Sequence, residues 1–174
     1  MAEAVAGAPT SPTPLNRPAA ARALALLLPA ALLAGAFGSQ YLGGLYPCEM
    51  CWWQRYAHMA ALVPAALAFT ARAGSHQSRL FVLIAALAIA VSGAIGFYHA
   101  GVELKVFEGF TTCTSTAHGT STEDLLKQIV AAPLVRCDQV QWSFLGISLA
   151  GWNAILSLGG AAVIAFLLLK GSRR

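Results

Sequence analysis

Charged residues are scarce in this sequence. Its 174 residues include eleven Lys or Arg and seven Asp or Glu, which together make up 10% of the chain. Soluble domains carry roughly 25% charged residues, so the composition excludes an ordinary water-soluble protein. Hydrophobic residues reach 57% and the mean hydropathy is +0.65. The composition therefore indicates a one-domain integral membrane protein, with the lipid bilayer as a partner and no nucleic-acid partner expected.

Four apolar segments account for most of the chain. A membrane-spanning helix needs about 20 mostly apolar residues, and lipid cannot satisfy backbone polar groups, so each segment is expected to be helical. The sequence predicts an all-α membrane protein, a four-transmembrane-helix bundle over residues 23–169, with a disordered tail at 1–22 and a short tail at 170–174. The predicted helices cover about residues 23–45, 52–70, 80–98 and 144–169.

The first apolar segment has a second interpretation. Arg17 and Arg22 precede it, and the small residues at 34–36 are typical of a signal-peptide cleavage site. The segment stays apolar to Leu45, which is long for a signal peptide, so a retained helix is favoured.

Basic residues predict the orientation of the helices. By the positive-inside rule, loops rich in Lys and Arg are cytoplasmic, which makes both termini cytoplasmic and directs loops 46–51 and 99–143 outward. All four cysteines lie in these outward loops, where disulfides persist because that side is oxidising. The cysteines are Cys48, Cys51, Cys113 and Cys137, and the inward basic residues are Arg17, Arg22, Arg72, Arg79, Lys170, Arg173 and Arg174.

The first outward loop carries a Cys-x-x-Cys motif. Pro47 suits the first turn of a helix, and a helix N-terminus stabilises a thiolate at Cys48 or Cys51. Arg55 and His58 follow Cys51 by four and seven residues and share its helix face. Arg55 can stabilise a thiolate and donate to the carbonyl of a membrane-dissolved acceptor, although snorkelling to the headgroups is an alternative. For His58, hydrogen-bonded helix packing is favoured.

The second outward loop carries the other cysteine pair. Cys113 lies in the polar stretch GFTTCTSTAHGTS and Cys137 lies in APLVRCDQVQW. Between them, residues 121–130 predict a short amphipathic helix, which lies on the membrane surface or packs on the other loop. Two inert structural disulfides are an alternative for the four cysteines. A zinc site is disfavoured because the Cys-x-x-Cys has no second close pair, so no metal is expected.

These motifs together resemble a known family, the DsbB family of disulfide bond formation proteins. The resemblance rests on PCEMCWWQR, on the second cysteine pair and on CDQVQWSFLGISLAGW, and it covers roughly residues 23–169. It implies a thiol:quinone oxidoreductase of the bacterial inner membrane with periplasmic cysteine loops. Such proteins reoxidise a periplasmic thioredoxin-fold oxidase, DsbA, and pass its electrons to a membrane quinone, either ubiquinone or menaquinone.

The resemblance also implies a role for each cysteine. Cys113 would form the mixed disulfide with the DsbA-like partner, and Cys137 would resolve it. Cys137 would also exchange with Cys48, leaving Cys51 as the thiolate that faces the quinone. Arg55 would contact that quinone.

Other matches to the family are looser. His99 corresponds to a histidine near the family's quinone site, although a plain interfacial histidine is an alternative. Gln54 stands where family members often have an acidic residue. Asn153 is a possible interhelical hydrogen-bond partner, but plain packing is favoured.

Two rival functions stay open from the sequence. A vitamin K epoxide reductase-like enzyme also combines four helices, a Cys-x-x-Cys and a quinone. Its active pair lies close to its last helix, whereas the pair here lies between the first two. A membrane protein with purely structural disulfides is the rival from a different class.

Overall fold

Four long helices form the described part of the chain. The computed structural model describes residues 17–109, 121–123 and 135–171. Cys113 and nearly all of the predicted helix at 121–130 lie outside these residues. The elements are α1 (Arg17–Tyr41), α2 (Glu49–Leu67), α3 (His76–Glu103), β1 (Ser143–Phe144), β2 (Ile147–Ser148) and α4 (Leu149–Gly171), with a 3₁₀ turn at Ala68–Thr70.

Three of these helices, among the described residues, are long and apolar enough to cross a membrane, namely α1, α3 and α4. The helix α2 has 19 residues but carries Gln54, Arg55 and His58. All three side chains are buried against the other helices. The polar content of α2 is therefore directed into the protein.

The sulfur of Cys48 fixes where α2 begins. The prediction placed the second helix at about 52–70, but α2 begins at Glu49 because Cys48 is its N-cap and its Sγ accepts from the Cys51 amide at 3.4 Å. An N-cap acceptor satisfies one of the amide donors that a helix N-terminus leaves free. Both cysteines of the motif consequently belong to the first turn of α2.

A tight hairpin delays the start of α4. The expected helix began near residue 144, whereas α4 begins at Leu149 because β1 and β2 pair antiparallel, with Ser143 opposite Ser148. The two turn residues between the strands have positive φ, 52° at Leu145 and 78° at Gly146. Positive φ at both positions is characteristic of a type I′ hairpin turn, and glycine favours it. The hairpin places aromatic side chains beside the cysteine end of the helices.

The helix α3 lies at the centre of the packing, against α2 and α4, while α1 packs on α2 and α4. Glycines allow the close approach of α3 to α4. A Cβ added at Gly93 would lie 2.8 Å from Leu158 Cγ, and one at Gly96 would lie 3.0 Å from Asn153 Nδ2. Small residues at such contacts are common in membrane helix pairs.

Two buried clusters mark the two ends of the molecule. The larger one is rich in alanine and joins the first turns of α1 and α3 to the last turns of α2 and α4. The smaller one contains Cys48, Met50, Val102 and Cys137. It combines the start of α2, the end of α3 and the chain before β1, and it places the cysteine chemistry at one end of the helices.

We expect Gly96→Ala to destabilise the protein by about 1–3 kcal/mol, because the added methyl would push α3 from α4 in a packed interface. Thermal unfolding in detergent would measure the loss. Gly159→Ala is the matched control, since a Cβ there meets no heavy atom within 4 Å. Equal melting temperatures for the two variants would contradict the close-approach explanation.

Candidate functional site

The two cysteines of the first motif lie together at the N-terminus of α2. Cys48 Sγ is 3.2 Å from Cys51 Sγ. Cys48 is buried, whereas Cys51 is partly exposed. The helix start and the N-cap contact hold this proximity, so the pair is arranged for disulfide chemistry.

Cys137 packs against Cys48 although the two residues are distant in sequence. The two cysteines belong to the same buried cluster, and Cys137 is 6% exposed. The contact of Cys48 with Cys137, its contact with Cys51 and its burial raise the pKa of the Cys48 thiol. The Cys48 thiol therefore holds its proton more strongly than an ordinary cysteine does. It contacts both Cys51 and Cys137.

Ionic and polar contacts hold the segment around Cys137. Asp138 accepts from Lys105 Nζ at 2.6 Å and from Arg136 at 2.8 Å. The neighbouring Arg136 and Lys105 hold the pKa of the Asp138 carboxyl below its usual range. Gln141 Nε2 donates to the carbonyl of Tyr46 at 2.7 Å, which ties this segment to the loop before α2.

Arg55 is turned toward α1. Its guanidinium donates to the Ala36 carbonyl at 2.9 Å and to Gln40 Oε1, and it lies 4.9 Å from the centre of the Phe37 ring and 5.0 Å from that of Trp52. Arg55 is 6% exposed. Its charge is thus paired inside the helices, whereas the snorkelling alternative would leave the guanidinium exposed.

The two candidate histidines occupy different places. His99 Nε2 lies 3.6 Å from Cys48 Sγ and 3.2 Å from the Cys137 carbonyl oxygen, so His99 belongs to the cysteine cluster. His58 lies deeper along α2, where its Nε2 is 2.9 Å from Asn153 Oδ1. Asn153 therefore makes a specific interhelical hydrogen bond, where the sequence favoured plain packing.

Glu103 is a site residue that the sequence analysis missed. Its Oε1 lies 3.8 Å from His99 Nε2, and it also accepts a hydrogen bond from Ser148. The signal that could have found it is the spacing of four residues between His99 and Glu103, which places both on one helix face. Buried acidic side chains in apolar helices commonly belong to functional sites, as buried basic ones do.

A cavity of about 410 Å³ opens between α1, α2 and α4. This volume lies within the usual range of small-molecule sites, roughly 300–1,000 Å³. Its walls are mostly aliphatic and aromatic, including Trp142, Phe144 and Trp152, and its polar lining includes Cys51 and Arg55. The cavity suits an apolar molecule with a polar head group.

His58 lies at the same cavity, and one of its ring nitrogens makes no hydrogen bond to the described residues. The residue lines the cavity and is 3% exposed, and its Nδ1 has no hydrogen-bond partner among the described residues. A buried polar atom without a partner costs free energy unless a ligand satisfies it. His58 therefore brings an unused hydrogen-bonding atom to the wall of the cavity.

A second, smaller cavity of about 50 Å³ lies toward the loops. Cys48, His99 and Arg136 line it. Cys51 and Arg55 border both cavities. The partly exposed sulfur of the pair therefore lies between the loop side and the large apolar cavity.

Comparisons with known proteins agree on one family. The family model "Disulfide bond formation protein DsbB" matches residues 18–167. Similar proteins named Disulfide bond formation protein B come from Marinobacter nauticus (32% identical, 76% of this chain and 80% of the relative) and Methylococcus capsulatus (34%, 78% and 85%). Another is from Aromatoleum aromaticum (30%, 83% and 87%). No solved structure matches the chain significantly.

The contact of Cys48 with Cys137 makes a testable prediction. In a Cys51→Ser, Cys113→Ser double variant, we expect mild oxidation with diamide to join the two remaining cysteines within one molecule. Alkylation under denaturing conditions followed by mass spectrometry should then find no reactive thiol. Adding Cys48→Ser is the control and should leave Cys137 alkylated. Two alkylated thiols in the oxidised double variant would contradict the arrangement.

Proposed function

The chain belongs to the DsbB family of disulfide bond formation proteins, and we propose that it carries electrons from a periplasmic thiol oxidase to a membrane quinone. Family membership establishes an oxidoreductase role in disulfide bond formation and a multi-pass protein of the inner membrane. The proposed partner is a DsbA-like thioredoxin-fold protein. The proposed acceptor is ubiquinone or menaquinone.

The position of Cys51 carries this proposal. Its sulfur is next to Cys48 and also borders the large apolar cavity. A redox-active sulfur at the edge of an apolar cavity can exchange electrons with a lipid-soluble molecule. The cavity is large enough for the head group of a quinone, and Arg55 and His58 belong to its polar lining.

We propose that all four helices cross the membrane with both termini cytoplasmic. Basic side chains bind main-chain carbonyls at the end opposite the cysteines, Arg22 to Ala71 at 3.0 Å and Arg79 to Leu168 at 2.7 Å. This basic end supports a cytoplasmic assignment. With a rise of about 1.5 Å per residue, α2 is roughly 28 Å long, close to the hydrocarbon thickness.

Disulfide exchange would proceed through Cys48. When the partner's thiolate attacks Cys113, the Cys113–Cys137 bond breaks and Cys137 leaves as a thiolate. Cys137 then attacks the sulfur of Cys48 in a Cys48–Cys51 disulfide, which forms a Cys48–Cys137 bond and releases Cys51 as a thiolate. Each step makes one S–S bond and breaks one, so the electron pair ends at Cys51, beside the cavity.

Arg55 would stabilise the Cys51 thiolate and orient the acceptor. A quinone, when bound, accepts two electrons and two protons. Placing a cation at this depth costs free energy, about 2.5–3.5 kcal/mol on insertion scales. The hydrogen bonds to Ala36 and Gln40 and the rings of Phe37 and Trp52 offset that cost. The guanidinium therefore stays charged at the cavity wall.

We expect Cys51→Ser to abolish quinone reduction by the protein in lipid, supplied with a reduced periplasmic thioredoxin-fold dithiol. Arg55→Ala should raise the apparent KM for quinone about tenfold, about 1.4 kcal/mol of lost binding. Quinone absorbance would be followed under anaerobic conditions with both ubiquinone and menaquinone analogues.

Arg22→Ala is the matched control for Arg55→Ala. Arg22 also binds a backbone carbonyl and covers an aromatic ring, that of Phe69, but it lies at the opposite end of α1 from the site. Its KM should be that of the wild type. No turnover by the folded wild type with either quinone type would favour structural disulfides, and cysteine variants would then change only the melting temperature.

A further inference from the structure

Three buried side chains and the half-buried Asn153 form a line of hydrogen bonds from the large cavity to the cysteine sulfurs. The line joins His58 Nε2 to Asn153 Oδ1 at 2.9 Å, and Asn153 Nδ2 to Gln54 Oε1 at 2.8 Å. It continues from Gln54 Nε2 to His99 Nδ1 at 3.0 Å. His99 Nε2 then faces the Cys137 carbonyl oxygen and Cys48 Sγ. The line thus connects side chains from α2, α3 and α4.

Two main-chain carbonyls determine which way the amides face. Gln54 Nε2 also lies 3.0 Å from the Met50 carbonyl oxygen, and Asn153 Nδ2 lies 3.2 Å from the Ser92 carbonyl oxygen. A carbonyl oxygen only accepts, so each of these atoms must be the amide nitrogen. The usual ambiguity between amide oxygen and nitrogen is therefore removed at both residues.

The oriented amides determine the proton positions on both neutral histidines. His99 Nδ1 faces a donor, the Gln54 amide nitrogen, so Nδ1 is the bare acceptor and Nε2 carries the proton. His58 Nε2 faces an acceptor, Asn153 Oδ1, so Nε2 carries the proton there as well. The bare Nδ1 of His58 is the buried atom that has no partner among the described residues.

We propose that Gln54 and Asn153 are positioning residues that fix His99 and His58 as their Nε2–H tautomers. Every donor in the line then points from the cavity toward the sulfurs. Aligned hydrogen bonds polarise one another, so the line presents the N–H of His99 to the cysteine cluster and leaves the bare Nδ1 of His58, a residue of the cavity wall, at its other end. An N–H donor beside Cys48 stabilises negative charge on sulfur during exchange. This last consequence rests on the proposed function, whereas the tautomers do not.

The same arrangement disfavours a metal ion at the reduced site. Cys48, Cys51 and His99 offer three ligand atoms within 4.8 Å of one another, which resembles part of a tetrahedral zinc site. A metal would need the lone pair of His99 Nε2. Metal-binding histidines usually donate their other N–H to a carboxylate or carbonyl, but Gln54 presents an N–H donor at that position. Gln54 thereby keeps a proton on Nε2 and withholds this lone pair.

Nitrogen NMR of ¹⁵N-histidine-labelled, reduced protein in detergent would test the tautomers directly, because protonated and bare ring nitrogens differ strongly in chemical shift. In the wild type we expect Nδ1 of His99 and His58 to be bare. Gln54→Glu should protonate His99 Nδ1, because a carboxylate accepts. A protonated His99 Nδ1 in the neutral wild-type ring, or a bare one in Gln54→Glu, would overturn the proposal.

Two further variants separate the proposal from a general loss of packing. Ser92→Ala removes a hydroxyl 3.2 Å from Asn153 Nδ2 but keeps the main-chain carbonyl that orients this amide, so both tautomers should be unchanged. Asn153→Leu should release the His58 tautomer while His99 stays as it is, since Met50 still orients Gln54. Loss of the His99 tautomer in Asn153→Leu, with the fold intact by circular dichroism, would contradict the assignment.

Cobalt binding provides an independent measurement. Reduced Gln54→Glu should bind Co²⁺ at least about tenfold more tightly than the reduced wild type, with the visible absorption of a tetrahedral thiolate site. Equal affinities would refute the metal-excluding role of Gln54. Neither the NMR nor the Co²⁺ titration uses a quinone or a partner protein. A failed tautomer assignment and a failed electron-transfer assignment therefore give different results.

Discussion

Polar side chains buried between packed helices have no water to bind, and most of the site follows from this constraint. The helix α2 carries Gln54, Arg55 and His58, and each finds partners on a different neighbour. Arg55 binds α1, His58 reaches α4, and Gln54 joins α3 to α4 through His99 and Asn153. Because leaving any of these groups unpaired would be costly, the partners fix the rotation and depth of α2. The helix therefore presents its cysteines in one defined place.

The segments before α2 and before β1 come together at that place. Cys48 caps α2 with its own sulfur, and Cys137 is held beside it by Asp138, whose ion pairs reach the end of α3. The same sulfur thus caps a helix and belongs to the cluster of cysteines. Reduction and oxidation of Cys48 change the bonds of an atom on which the start of a helix depends, so the redox state and the local structure at this point are coupled.

The sequence predicted the helices and the Cys51–Arg55 face because these depend on local periodicity. Helix ends were less predictable. Sulfur capping by Cys48 and the hairpin that delays α4 to Leu149 depend on contacts that apolar length does not reveal. The side chains of Gln54 and Asn153 lie 99 residues apart in sequence, so nothing local shows that they pair. The orientation of the Arg55 side chain could not be predicted for the same reason, since its hydrogen-bond partners lie on α1.

The two cavities that meet at Cys51 and Arg55 differ about eightfold in volume, 410 against 50 Å³. The wide one has mostly aliphatic and aromatic walls, whereas the narrow one is lined by the segments before α2 and before β1 and is too small for a bulky solute. On that side, the sulfur of Cys48 lies 3.2 Å from that of Cys51. A soluble thiol or oxidant larger than the narrow cavity would have to displace packed side chains before it could react with Cys51 by this route. In the proposed electron transfer, steric access would therefore limit side reactions, in addition to the reduction potentials.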